Sequence, residues 1–232
     1  MLKSFTLFSA ILLLSAPTFA NNVSEPGDIY IGFNVGNADY GIYDDAYTTE
    51  ELSNSDYTFD DSDTGMQFYL GYQVTQYFAV EASYTDLGQA SMKVDISNSL
   101  VKNVNGISYT YNLSGSAKTS LATTTKTLAL VARYPIGENL FLKAKLGLNQ
   151  WEIAPLLTLD YRVEIPEFNI YESVYRSEKL KTESDLDSFG SLGVEYALDS
   201  FSITADYQVF TLDERILESE INLLSAGIKI SF

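Results

Sequence analysis

The last nine residues of the chain, 224–232, alternate strictly between apolar and small or polar side chains. Successive side chains of a β-strand point to opposite faces, so a period of two predicts a strand rather than a helix. One face of this strand is polar and carries Lys229, while the other face is apolar. The apolar positions are Leu224, Ala226, Ile228, Ile230 and Phe232.

The same alternation recurs along the chain and predicts eight strands, at about 28–37, 65–73, 77–86, 124–134, 139–150, 188–197, 201–210 and 224–232. Each is close to the roughly 9–11 tilted residues that cross a bilayer. Short turns alternate with long loops, which cover about 38–64, 87–123, 151–187 and 211–220. We therefore expect an all-β fold, an eight-stranded antiparallel up-and-down transmembrane β-barrel with both termini on the short-turn side. The alternative is a soluble β-barrel or sandwich whose apolar face points inward.

The first 20 residues have the composition of a secretory signal peptide. Lys3 precedes the apolar stretch 5–14, and small residues lead to a predicted cleavage site after Ala20. The mature domain would then be 21–232. No later stretch of about 18 apolar residues predicts a transmembrane helix. If the mature chain spans a membrane, it must therefore do so as a β-barrel.

Composition excludes several classes of function. The formal charge of −17, from 31 acidic and 14 basic residues, argues against nucleic acid as a partner. The chain has no histidine and no cysteine, which removes Ser-His-acid and Cys-His catalysis and histidine-containing metal sites. Asp63-Thr64-Gly65 matches the aspartic-protease tripeptide, but that chemistry needs two such carboxylates and there is one copy. We predict no enzymatic activity and no cofactor.

The first long loop is acidic throughout. It holds nine acidic residues and no base, namely Asp39, Asp44, Asp45, Glu50, Glu51, Asp56, Asp60, Asp61 and Asp63. We predict a solvated loop with no metal site. The alternative is a weak divalent-cation site at Asp60, Asp61 and Asp63, which lacks the glycine placement and distal glutamate of an EF-hand loop.

The second and third strands carry the most specific sequence pattern. Gly71-Tyr72-Gln73 is followed by the stretch 77–88, which reads YFAVEASYTDLG. This pattern resembles the OmpA-like family of eight-stranded outer-membrane barrels, as do Gly193-Val194-Glu195-Tyr196 and Ala205-Asp206-Tyr207. The resemblance implies a place in the bacterial outer membrane, among lipid and lipopolysaccharide. It also implies an assembly signal in Ile228, Ile230 and Phe232 that the barrel-assembly machinery reads. Since the chain ends at Phe232, we expect no peptidoglycan-binding domain.

The polar face of the predicted strands points into the barrel and carries charges. Three acids and four bases fall on it: Glu81, Arg133, Lys143, Lys145, Glu195, Asp206 and Lys229. An unpaired charge in a narrow lumen costs several kcal/mol, so we expect these charges to pair and to hold the lumen shut. The alternative is a gated polar path in which the pairs exchange partners.

The long loops contain further alternating segments. Residues 93–96 and 107–113 alternate on either side of Asn105-Gly106, a hairpin signal, and 157–163 alternate likewise. They predict strands that continue above the membrane. Their aromatics either bind partners or pack the loops together: Tyr109, Tyr111, Tyr161, Phe168, Tyr171 and Tyr175. Four others we assign to the girdles at the membrane interfaces: Tyr77, Tyr134, Trp151 and Tyr207.

These observations favour a non-enzymatic outer-membrane β-barrel protein that contributes to envelope structure. Its long loops would make surface interactions, as in adhesion or the binding of an extracellular ligand. A narrow or gated channel, similar in role to a porin, is the alternative.

Overall fold

The computed structural model describes residues 25–41, 55–104, 106–198, 201–213 and 218–232. The predicted signal peptide, Asn105 and the acids at 44, 45, 50 and 51 lie outside these ranges. The strands are β1 (Ile29–Asp39), β2 (Ser55–Asp60), β3 (Ser62–Gln73), β4 (Phe78–Val104), β5 (Ile107–Pro135), β6 (Leu140–Ile165), β7 (Ile170–Lys179), β8 (Glu183–Leu198), β9 (Phe201–Asp213) and β10 (Glu218–Ser231). A 3₁₀ turn, Pro166–Phe168, joins β6 to β7. No helix in these ranges is both long and apolar enough to span a bilayer.

Eight of the strands close into a ring. The order is β1-β3-β4-β5-β6-β8-β9-β10, every neighbouring pair is antiparallel, and β10 pairs with β1. At the closing seam Phe33 lies between Phe68 on one side and Ile228 on the other. The predicted eight-stranded antiparallel barrel is therefore confirmed. Closure pairs the backbone N–H and C=O groups of every strand of the ring with a neighbouring strand. A structure that crosses lipid requires this, because lipid offers these groups no hydrogen-bond partners.

The ring has an apolar outer face and a polar inner face. Phe68 and Leu128 point outward and are more than half exposed, while Asn34 and Gln67 point inward and are buried. This is the opposite of a soluble barrel, so the alternative with an inward apolar face is wrong. Phe232 also points outward and is 72% exposed, as the terminal alternation predicted.

Three strands extend far beyond the ring. β4, β5 and β6 have 27, 29 and 26 residues, although about 10 suffice to cross a bilayer. Their upper parts pair with β2 and β7 to give a five-stranded antiparallel sheet of order β2-β4-β5-β6-β7, which we call the protruding sheet. The segments 93–96, 107–113 and 157–163 of the predicted loops are thus strand, which confirms the prediction that strands continue beyond the ring.

A β-bulge marks the top of the ring on β4. The register with β5 shifts between Asp86 and Gln89, and Gly88 has a φ of 75°. The Asp63 carboxylate fixes this geometry by accepting a hydrogen bond from the Gln89 amide at 2.8 Å. One extra residue exchanges the two faces of a strand, so inward positions are odd-numbered below the bulge and even-numbered above it.

The two faces of β6 exchange character partway along the strand. Its outward positions are apolar up to Leu148 and become mostly polar from Gln150 onward, with Ala154 and Leu156 as exceptions. Its inward positions are mostly polar up to Asn149 and become apolar from Trp151 onward. Lipid surrounds the outer face below this point and water surrounds it above, so the Leu148–Gln150 step marks the outer edge of the membrane.

Candidate functional site

The seven predicted inward charges meet in one layer inside the ring, which we call the charge layer. All are at most 6% exposed. The Glu195 Oε1 atom lies 2.8 Å from Arg133 Nη2 and 2.5 Å from Lys229 Nζ. Lys143 Nζ lies 3.0 Å from Asp206 Oδ2, and Lys145 Nζ lies 2.5 Å from Glu81 Oε1. Every acid of the layer contacts at least one base. That this layer holds the lumen shut stays a prediction.

Aromatic rings accompany the excess positive charge of this layer. The Arg133 guanidinium stacks 3.7 Å from the centroid of Phe141. Lys145 Nζ lies 4.9 Å from the Tyr69 ring, and Lys229 Nζ lies 5.0 Å from the Tyr30 ring. The π face of an aromatic ring attracts a cation, and more strongly where water is excluded. The rings thus help to accommodate four bases against three acids.

A layer of amides and hydroxyls lies next to the charges. Gln67 and Gln208 bond reciprocally, each side-chain NH₂ donating to the other's carbonyl oxygen at 2.9 and 3.0 Å. Gln67 also donates to Thr85 Oγ1 at 3.1 Å. Asn34 accepts a hydrogen bond from Thr204 and donates to Asp206, which joins this layer to the charge layer. No local pattern in the sequence singles out these amides, since only the register shows which polar residues meet across the lumen.

An apolar plug closes the lumen toward the protruding sheet. Its members include Leu87, Trp151, Phe189, Phe210, Ile221 and Leu223, all at most 3% exposed. Trp151 donates its indole N–H to Asp187 Oδ2 at 2.7 Å. The assignment of Trp151 to an interfacial girdle is therefore wrong, because the strand carries it inward. Tyr207 does point outward and is exposed, and its place in a girdle stays a prediction.

The interior leaves almost no free space at the charge layer. A cavity of about 10 Å³ remains there between Tyr30, Tyr69, Glu81, Arg133 and Glu195. This is about the space of a single water molecule. This cavity is therefore too small to hold a column of water across the charge layer.

The protruding sheet has two different faces. Residues in register across its strands, such as Val94, Ala117 and Leu159, form an apolar face continuous with the inside of the ring. The opposite face is polar and includes Asp95, Ser116 and Asp160, which share another row. The apolar face is half-buried or exposed, and the polar face continues the outer wall of the barrel.

The predicted loop aromatics divide into two groups. Tyr109 packs edge-to-face against Phe168, with ring centroids 5.7 Å apart. Beside them the Thr110 amide donates to Glu167 Oε1 at 2.9 Å. Hydrogen bonds from the backbone amides of Glu167 and Thr110 lower the pKa of the Glu167 carboxyl. Tyr171 and Tyr175 on β7 remain 60% and 72% exposed, so they do not hold the tip together.

The Asp63 carboxylate beside the ring is engaged by backbone amides. Asp63 uses its two carboxylate oxygens to accept hydrogen bonds from the amides of Thr64 and Gln89. Within the described ranges, no group of three acidic side chains is placed to hold a metal ion, and Asp60, Asp61 and Asp63 are within those ranges.

Comparisons with known proteins bear on the fold. A family model described as "Outer membrane protein beta-barrel domain" matches residues 6–231. The chain is similar to the solved structure of OprG from Pseudomonas aeruginosa, at 15% identity and a TM-score of 0.49, covering 90% of this chain and 97% of that chain. It is also similar to Ail, the attachment invasion locus protein of Yersinia pestis, at 15% identity and a TM-score of 0.45, covering 90% of this chain and 100% of that chain. A search of curated proteins gives no significant match. Structural similarities this distant carry no information about ligands.

Proposed function

The chain belongs to the outer-membrane β-barrel domain family, among its small OmpA-like barrels, and from this premise we propose that it is a non-enzymatic surface protein of the bacterial outer membrane. Its protruding sheet binds partners outside the cell, and its plugged ring anchors that sheet. The observation that carries this proposal is the continuation of β4, β5 and β6 from the ring into a sheet with exposed edges. A ring alone would need only about 10 residues from each of these strands.

The filled lumen supports an anchoring role over a channel. Ion pairs, the amide layer and the apolar plug occupy successive levels of the ring. A channel would need those buried pairs to separate, and removing a partner from a buried pair costs about 3–5 kcal/mol. A narrow or gated channel therefore remains the less favoured alternative.

The surroundings of the protein follow from the same proposal. The outer face of the ring contacts lipid and lipopolysaccharide, and the signal peptide is cleaved after Ala20. The barrel-assembly machinery recognises the last strand through Ile228, Ile230 and Phe232. In support, Ile228 and Phe232 are more than half exposed on the outer face, and the Phe232 amide donates to the Ile29 carbonyl at 2.8 Å.

Excisions matched to the strand register test the binding role. Met92 lies opposite Thr119, and Leu156 lies opposite Lys179. Removing 93–118 or 157–178 and closing each gap with Asn-Gly therefore leaves a short hairpin on an intact ring. We expect bacteria that carry either variant to lose adherence to cultured epithelial cells and glass. The heat-dependent gel shift of a folded barrel should persist.

A smaller excision provides the matched control. Ser99 lies opposite Asn112, so removing 100–111 in the same way shortens only the tip of the β4–β5 hairpin. We expect this variant to keep most of its adherence. Adherence that survives both larger excisions, or wild-type adherence no greater than that of cells without the protein, would contradict the proposed function.

A further inference from the structure

The outer edge of β7 has no strand partner among the residues that the structure describes. In the described part of the chain β7 pairs only with β6, and all ten of its residues are exposed. The same edge continues into β8, whose pairing with β9 begins only at Phe189. An open edge offers a row of backbone donors and acceptors to another strand. Neither a proline nor a bulge protects this edge, and the features of β7 that can limit pairing are its four charged residues, Glu172, Arg176, Glu178 and Lys179.

The charges of β7 are arranged symmetrically about one residue. Glu172 and Arg176 each lie two positions from Val174, so all three side chains are on the same face. Arg176 already contacts Glu178 through one guanidinium nitrogen at 2.8 Å, which leaves other donors for a second carboxylate. If a second β7 paired antiparallel with the first, centred on Val174, each Glu172 would lie opposite the Arg176 of the other copy.

Symmetry makes this register selective. A two-fold axis that extends one sheet with an identical strand must be normal to the sheet, so the pairing is centred on a residue. Centring on Ser173 places no opposite charges face to face, and centring on Tyr175 places Glu172 opposite Glu178. Among registers that pair at least seven of the ten β7 residues, only the Val174 register places two opposite-charge pairs directly across the strands. Centring on Ser177 also places Arg176 opposite Glu178, but it joins only five residues of each strand. The Val174 register also brings Tyr171 and Tyr175 within diagonal reach of the same residues in the other copy.

The direction of the strands fixes how the two barrels are placed. β6 runs without a break from the ring to the tip, and β7 lies antiparallel beside it. Antiparallel pairing of two β7 strands therefore points the two rings in opposite directions, which puts them in different membranes. Val174 lies opposite Tyr161, 12 residues beyond Asn149, or about 40 Å along the strand at 3.3 Å per residue. The contact is thus well outside the membrane.

We propose that β7 mediates contact between membranes by pairing with β7 of a second copy of this chain, in the register centred on Val174. This inference rests on the proposed function and names a partner for the protruding sheet. It assigns to Glu172 and Arg176 the choice of register, because like charges at these positions would face each other and repel.

Vesicle aggregation with charge reversals tests the proposal. Purified full-length protein is placed in phosphatidylcholine vesicles, and energy transfer between two dye-labelled vesicle populations reports their contact. We expect wild-type vesicles to aggregate. Glu172→Arg and Arg176→Glu should each reduce aggregation at least about tenfold, because each replaces two attractive cross-strand pairs by two repulsive ones.

Mixing the single variants gives the decisive result. Vesicles with Glu172→Arg and vesicles with Arg176→Glu carry complementary charges, so the mixture should aggregate although neither population does alone. The double variant should aggregate like the wild type. Glu152→Arg, the same charge reversal on β6 outside this register, is the control and should have no effect.

Two outcomes would overturn the self-pairing proposal. One is undiminished aggregation of either single variant, and the other is a mixture that stays dispersed although both variants show the folded-barrel gel shift. Either result leaves the proposed function standing if the excision of 157–178 still abolishes adherence to cells and glass. Vesicle aggregation thus reports self-pairing, and adherence to cells and glass separately reports partner binding.

Discussion

Gly193 on β8 lies directly opposite Asp206 on β9, and the space its missing side chain leaves is filled by the Asp206 carboxylate. A Cβ atom at this glycine would overlap that carboxylate and press on the Ala205 carbonyl. The ion pair between Lys143 and Asp206 therefore depends on a residue that carries no charge.

The first prediction concerns this glycine. Gly193→Ala should displace Asp206 from Lys143 and lower the free energy of unfolding by about 1–3 kcal/mol, the usual cost of overpacking. Urea unfolding in detergent micelles measures the change. Gly190→Ala on the same strand is the control, because its Cβ would meet nothing closer than a Leu146 methyl at 3.9 Å. Equal effects of the two substitutions would show that the carboxylate needs no such space.

The second prediction compares two buried acids. Glu195 contacts both Arg133 and Lys229, whereas Glu81 contacts Lys145. Glu195→Gln should destabilise the barrel by about 3–5 kcal/mol and by more than Glu81→Gln does, because it leaves two cations without their carboxylate. The same unfolding assay decides between them. The reverse ranking would mean that the aromatic faces, rather than Glu195, compensate those two cations.

The third prediction concerns conductance. Because the charge layer leaves only about 10 Å³ of space, wild-type protein in planar bilayers should give no reproducible current. Arg133→Ala and Glu81→Ala should remain silent too, since the amide layer and the apolar plug still close the lumen. A steady wild-type conductance that either substitution alters would favour the channel alternative.

The fourth prediction uses the single tryptophan of the chain. Trp151 is fully buried inside the ring, so neither brominated lipids nor iodide should quench its fluorescence strongly. A tryptophan in an interfacial girdle would be quenched by brominated lipids. Leu148→Trp in a Trp151→Phe background supplies that comparison, because Leu148 faces lipid and is 54% exposed.

The fifth prediction concerns pH at the tip of the protruding sheet. The two backbone hydrogen bonds lower the pKa of Glu167 in the folded state, so its ionised form stabilises the tip above the unfolded pKa. This contribution should be lost as pH falls through the lowered folded pKa. The amide chemical shift of Thr110, followed by NMR, should titrate with Glu167. Glu167→Gln should abolish the titration, and a Thr110 shift that stays constant across this range would be inconsistent with the contact.

The ring could be predicted from the sequence because lipid imposes one rule on its outer face. In β1, β3 and β10, for example, alternation by itself predicted correctly which side chains point inward and which point outward. Phe33 and Phe232 both point outward, as predicted. Trp151 was assigned to the wrong face because the alternation of side chains continues beyond the membrane. There the outer face contacts water instead of lipid, so an apolar residue no longer marks the outer face. Gln150 and Glu152, both on the outward side, were the available signal that Trp151 points inward.

The candidate sites depended on information that periodicity does not contain. The inward charges could be listed from the strand pattern, yet their partners are set by which strands neighbour one another and in what register. The reciprocal pair Gln67 and Gln208 is separated by 141 residues and has no local signal. β7 was likewise predicted as part of the loop 151–187, because its residues are exposed on both faces and show no apolar alternation.

The unbroken register between β5 and β6 has a mechanical consequence. Their pairing runs from Asn112 opposite Glu164 to Pro135 opposite Phe141, so one hydrogen-bonded ladder crosses from the sheet into the barrel wall. A pull along the strands at the tip is then borne in shear by many hydrogen bonds at once. The sheet is therefore a rigid extension of the barrel wall. A force between two surfaces that the sheet joins is transmitted directly to the barrel, whereas a flexible linker would first extend.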